Sequence, residues 1–144
     1  MSDEIMESEE KYLPKEILAK AIRSGIEFGW KQVDFIPVVL AAQSAGLGIT
    51  GGQVQFCLPD GTCELYWLRY DTGERQSGES WKRYCERTSR ECIDQFQKLI
   101  ETTHFVNVGI QNFKFLKAKA SEGVDLGQYL TFILYFNDLE TWLE

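Results

Sequence analysis

The fold turns on the stretch Gln53-Val54-Gln55-Phe56-Cys57-Leu58-Pro59-Asp60-Gly61-Thr62-Cys63-Glu64-Leu65-Tyr66-Trp67-Leu68-Arg69-Tyr70. Polar and apolar residues alternate from Gln53 to Leu58, and Thr62 to Tyr70 is rich in aromatic and other strand-favouring residues. Between them, Pro59-Asp60-Gly61 suits a type I turn closed by a glycine bulge, a common three-residue hairpin loop. That loop predicts Leu58 opposite Thr62, Cys57 opposite Cys63, Phe56 opposite Glu64, Gln55 opposite Leu65, Val54 opposite Tyr66 and Gln53 opposite Trp67. Alternation then gives the hairpin two faces. Val54, Phe56, Leu58, Tyr66 and Leu68 form the expected core face. Gln53, Gln55, Cys57, Cys63, Leu65, Trp67 and Arg69 form the other.

Upstream of the hairpin the hydrophobic period is helical. Pro14 suits a first helical turn, where its missing N–H costs nothing, and Ile17, Leu18, Ala21, Ile22 and Gly25 form one stripe. Gly25 and Gly29 weaken this helix, which should end before Trp30. A second helix is expected with Asp34 as its cap, Pro37 in its first turn, the run Val38–Ala42 and Gly46 just past its end. Having few polar residues, it should be heavily buried. Gly51-Gly52 then breaks the chain.

Downstream, a long helix is predicted over residues 80–101, with Trp81, Tyr84, Cys85, Thr88, Cys92, Phe96, Leu99 and Ile100 as its apolar stripe. Its exposed side mixes Lys82, Arg83, Arg87 and Arg90 with Glu86, Glu91 and Asp94 at supportive spacings. Phe113–Lys119 reads either as a strand with a phase slip or as a short helix. Strand is preferred, because residues 121–127 then form the loop to Tyr129–Phe136. This last run is apolar on both faces, as in a central strand. Asn137 or Asp138 can cap a closing turn that carries Leu139, Trp142 and Leu143. The element order predicts one α+β domain over residues 11–144, with an antiparallel sheet built from two hairpins and packed with helices.

Composition agrees with a single domain. The 144 residues are 44% hydrophobic and 26% charged, enough to bury a core without a disulfide or metal. The longest apolar run, Tyr129–Phe136, is too short for a membrane span. The opening Met1-Ser2-Asp3-Glu4 is unlike a secretory leader, so a reducing, cytoplasmic setting is expected. Of the net charge of −7, residues 1–10 hold −5 (Asp3, Glu4, Glu7, Glu9, Glu10), leaving −2 elsewhere. Residues 1–10 therefore read as a disordered acidic tail. Without a basic footprint, nucleic-acid binding is not expected.

Catalytic equipment is sparse. His104 is the single histidine, and Cys57, Cys63, Cys85 and Cys92 lack the two-to-four-residue spacing of a zinc site. Cys85 and Cys92 fall on an apolar stripe, where burial makes a thiol inert. Cys57 and Cys63, if directly opposite, would lie within disulfide range but remain thiols in a reducing compartment. Gly46-Leu47-Gly48 and Gly51-Gly52 precede a strand, so they read as a turn and not as a phosphate cradle before a helix. Glu64 and Asp60 lie near a solvated hairpin tip. No catalytic residue, metal or cofactor is expected.

The positive signal is the mixed face of the hairpin. Gln53, Gln55, Leu65, Trp67 and Arg69 combine amides with the residue types that dominate binding hot spots, and they are the expected partner surface. The alternative is that a helix layer covers Leu65 and Trp67. In size, acidity and α+β layout, with the run Ile49–Phe56, the turn Leu58–Thr62 and the strand Glu64–Trp67, the chain resembles immunity proteins of bacterial polymorphic or contact-dependent toxin systems. That resemblance implies a non-catalytic cytoplasmic protein that binds and neutralises a cognate toxin domain. A small enzyme or ligand-binding domain with a pocket between sheet and helices is the alternative, and a homo-oligomeric accessory protein a third.

Overall fold

The computed structural model describes residues 9–139. A 3₁₀ turn (Glu9–Tyr12) leads into α1 (Lys15–Ala19), β1 (Ile22–Ser24), β2 (Glu27–Trp30) and α2 (Gln32–Ser44). There follow β3 (Gly48–Gly51), β4 (Gln53–Leu58), β5 (Gly61–Arg69) and the helices α3 (Trp81–Thr102), α4 (Phe105–Asn112) and α5 (Lys114–Ser121). A second 3₁₀ turn (Leu126–Tyr129) precedes β6 (Leu130–Asn137). The expected tail lies largely outside the described residues, although its last residue, Glu10, is buried in the first 3₁₀ turn. The closing turn expected to carry Trp142 and Leu143 also lies outside them.

The fold is α+β, with every strand pair antiparallel and the order β1-β2-β6-β4-β5. As expected, β6 is central. It holds β2 on one edge and, on the other, β4 beside its first half and β3 beside its last. Gly52 makes that double pairing possible, because a Cβ there would overlap the Ile133 carbonyl. Of the glycines expected to form a loose turn, Gly48 and Gly51 belong to β3 and Gly52 joins it to β4, all three buried, while Gly46 does stand in the exposed turn after α2.

One face of the sheet meets the helices. Phe28, Trp30, Val54, Phe56, Leu65, Phe132 and Leu134 pack with Phe35, Val38 and Val39 of α2, with Cys92 and Phe96 of α3, and with Phe105 and Leu116 of α4 and α5. The rings of Phe35 and Phe96 stack with centroids 3.9 Å apart. Helix α3 matches its predicted stripe. Ser80 caps it, accepting from the Arg83 amide at 3.2 Å, and Tyr84, Cys85, Thr88, Cys92 and Phe96 are buried.

Four sequence expectations need correction. The first helix ends at Ala19, and Ile22–Trp30 forms a hairpin turned at Gly25, whose φ of +65° suits glycine. This hairpin replaces the one expected from Phe113–Phe136. Residues 105–112 and 114–121 form two helices joined at extended Phe113, because Phe113, Leu116 and Ala120 supply a helix-spaced inner face amid helix-favouring Lys and Ala. Helix α2 begins at Gln32, so Asp34 lies within its first turn and pairs with Lys20 at 3.6 Å, while Pro37 is inside the helix. That helix is also less buried than expected, since Val33 and Leu40 are exposed.

The fourth correction concerns the hairpin register. Leu58 lies opposite Gly61, Cys57 opposite Thr62, Phe56 opposite Cys63, Gln55 opposite Glu64 and Val54 opposite Leu65. The loop is therefore Pro59-Asp60, one residue shorter than expected. A one-residue slip turns every side chain of β5 to the opposite face.

Candidate functional site

The slip divides the five expected partner residues among three environments. Leu65 is fully buried in the core opposite Val54, because this register aims Cys63 and Leu65 at the helices. Gln53, Gln55 and Arg69 remain on the other face of the sheet. Trp67 lies at the helix-side edge of the sheet, partly covered by Phe113, where the ladder breaks between Leu65 and Arg69 and resumes with Gln53 opposite Arg69. The three residues Tyr66, Trp67 and Leu68 bulge out of the pairing on an edge strand.

On the face away from the helices the sheet curls over a polar network. Ser24 on β1 donates to Oε1 of Gln55 on β4 at 2.8 Å. Strands β2 and β6 intervene, and three steps of about 4.8 Å would hold β1 and β4 roughly 14 Å apart in a flat sheet. Gln55 is fully buried and donates to Glu27 at 3.0 Å and Glu64 at 3.2 Å. Gln53 also donates to Glu64 at 3.2 Å and accepts from Arg69 at 3.0 Å. Arg69 donates in turn to Asp71 at 2.7 Å. The Tyr135 hydroxyl donates to Glu27. Burial, reinforced by that bond, holds the Tyr135 pKa far above its ordinary value.

Two clefts flank Tyr135. One, of about 510 Å³, lies between the β1–β2 turn and β5 and is lined by Glu10, Ser24, Ile26, Glu27 and Glu64. The other, of about 590 Å³, is lined by Thr50, Arg69, Asp71, Tyr84 and Asn137. The glutamines and carboxylates satisfy one another, and among the described residues no buried side-chain nitrogen or oxygen lacks a partner. The network therefore braces the curl of the sheet. No group of three or more possible metal ligands occurs among the described residues.

The remaining chemistry is dispersed. His104 is exposed at the start of α4. Burial pushes the Cys85 thiol up to about 11 and the Cys92 thiol up to about 12. Cys57 and Cys63 are free and point to opposite faces, so the disulfide considered from the sequence is ruled out by the register. At the hairpin tip, Asp60 pairs with Lys119, which lowers the Asp60 pKa.

The bulge presents the most exposed aromatic surface among the described residues. Tyr66 is 67% exposed and Trp67 42%. Their rings meet edge to face at 5.2 Å, and Trp67 stacks on Phe113, between α4 and α5, at 6.3 Å. Sequence reading located Trp67 but assigned Tyr66 to the core and missed Phe113. The consecutive aromatics at 66 and 67 were the available signal, since strict alternation can bury only one of them. Comparison with protein families, with curated proteins and with solved structures finds no match to this chain.

Proposed function

We propose that the protein is a non-catalytic protein-binding module whose partner surface is centred on Tyr66 and Trp67. The observation that carries this reading is the bulge in β5, which holds two adjacent aromatic side chains out of the ladder, Tyr66 mostly and Trp67 partly exposed. Aromatic side chains on a rigid support lose little entropy on binding and dominate interface energetics. Phe113 buttresses Trp67 from behind, and Arg69 and Glu64 flank the pair along the strand. The resemblance in size, acidity and layout to bacterial immunity proteins makes a cognate toxin domain the proposed partner, met in the cytoplasm.

The buried glutamines favour the rival reading, a ligand-binding domain or small enzyme. They lie on the face opposite the helices, however, and their amides are spent on Glu27, Glu64, Ser24 and Arg69. Among the described residues no helix is long and apolar enough to cross a membrane.

The test uses wild-type chain and the Trp67→Ala and Tyr66→Ala variants as bait in a pull-down from native lysate, with affinity then measured on the purified captured partner. Each variant should keep its fold and lose about 2 kcal/mol or more of binding, roughly 30-fold. Equal affinity for all three chains would remove the bulge from the interface.

A further inference from the structure

The exposed side of α3 carries Arg83, Glu86, Arg90, Asp94, Lys98 and Glu101, six charges of strictly alternating sign. At 3.6 residues per turn they fall within an arc of about 120°. Such a stripe usually serves ion pairs within its own helix. Here it serves none. The ion pair within α3 joins Arg87 to Glu91, and none of the six belongs to an ion pair among the described residues.

The stripe has a second property, which is symmetry about position 92. Arg90 and Asp94 lie two residues from it, Glu86 and Lys98 six, Arg83 and Glu101 nine, and each of these pairs is opposite in sign. An identical helix laid antiparallel, with a two-fold axis at the level of Cys92, would set Arg83 against Glu101 and Arg90 against Asp94, each twice, while Glu86 and Lys98 fall on opposite flanks of the seam.

Apolar surface lies beside the charges. Val33, which is 79% exposed, lines a cleft of about 640 Å³ with Ile36, Phe96 and Ile100. Leu40, 51% exposed, lines a second cleft of about 440 Å³ with Arg90, Ile93 and Asp94, level with the centre of the stripe. An axis through that centre brings Leu40 of one copy close to Leu40 of the other. Self-complementarity of this kind is what an isologous two-fold interface requires.

We propose that the α2–α3 face pairs with a second copy of this chain, antiparallel, with the charged stripe setting the register and Leu40 beside the axis. The surface is separate from the Tyr66–Trp67 bulge, and Trp67→Ala should leave self-association unchanged.

Sedimentation equilibrium of the full chain tests the proposal. Wild type should form a reversible dimer that weakens as salt is raised. Arg90→Asp and Asp94→Arg should each set like charges opposite one another and weaken the dimer about ten-fold or more. Mixed together, the two variants should associate as tightly as wild type, because opposite charges again face each other at both positions. Arg83→Glu mixed with Glu101→Arg repeats the test if either first variant fails to fold by circular dichroism. A wild type still monomeric at about 1 mM, a dimer indifferent to these substitutions, or mixtures that stay monomeric would each overturn the proposal. Monomeric wild type that binds a foreign helix on this face would overturn it too.

Discussion

The Tyr70 hydroxyl lies 2.6 Å from the Ile133 carbonyl and 2.9 Å from the Gln53 carbonyl, at the point where β3 gives way to β4 beside β6. Tyr70 is fully buried, and its ring meets Phe35 at 5.0 Å and Phe96 at 6.1 Å. One side chain thus joins the end of β5, the start of β4 and the centre of β6 to the aromatic core.

Replacing this hydroxyl should be costly out of proportion to its size. Tyr70→Phe deprives buried carbonyls of a donor and should destabilise by about 1–3 kcal/mol, read from urea unfolding at neutral pH. Burial also holds the Tyr70 pKa well above its ordinary value. The folded state thus favours the protonated phenol, whose contribution is complete below the unfolded pKa and falls as pH rises above about 10. The variant should lose less stability than wild type between pH 9 and 11 (about one unit either side of that value). An identical alkaline slope in both chains would contradict this assignment.

Leu65 and Trp67 should separate cleanly. Leu65→Ala empties a fully buried site and should cost about 2–5 kcal/mol. Trp67→Ala removes a partly exposed ring resting on Phe113 and should cost about 1 kcal/mol, far less than a core aromatic. Thermal melts of the two variants decide the matter, and the reverse order would restore the three-residue loop and its register.

Arg87 should anchor the segment between β5 and α3. Its guanidinium donates to Glu79 at 2.6 and 3.0 Å, to Glu91 at 2.9 Å, and to the carbonyls of Gly73 and Glu74 at 3.2 and 3.0 Å. Arg87→Met should cost about 3 kcal/mol, because it strands the shielded Glu79 carboxylate. Hydrogen bonding from Arg87 holds the Glu79 pKa below its ordinary value. Its contribution is therefore present above pH about 4.3 and lost as pH falls through the depressed pKa. Unfolding midpoints of wild type should drop below pH about 4, and Arg87→Met should show less of that drop. A variant with the full acid-side drop would assign it to other carboxylates.

The thiols should react in an order set by burial. Cys92 and Cys85, raised to about 12 and about 11, should be modified slowly by a thiol reagent at neutral pH, and half-buried Cys57 faster. Intact-mass measurement after mild oxidation should find no bond between Cys57 and Cys63. Rapid labelling of Cys92 in the native state would mean that the α2–α3 core opens readily.

What the sequence determined by itself was local. The stripe from Tyr84 to Phe96 specifies α3 over a few turns, with each residue acting on neighbours three or four positions away. A long run that is apolar on both faces can hardly be anything but a central strand, as β6 is. Tertiary structure decided what rests on distant partners. Ile22–Trp30 is a hairpin because β6 offers an edge to Phe28 and Trp30, and Gly29 leaves room for Thr131 and Ile133. Lys114–Ser121 is helical because Leu116 can then reach the core, where Phe56 and Gly109 crowd against it. The hairpin loop holds two residues rather than three because that choice sends Cys63 and Leu65 to the helices and Glu64 to the glutamines. A turn motif fits either register almost equally well. The burial of every other side chain on β5 does not, and only the assembled core discriminates between them.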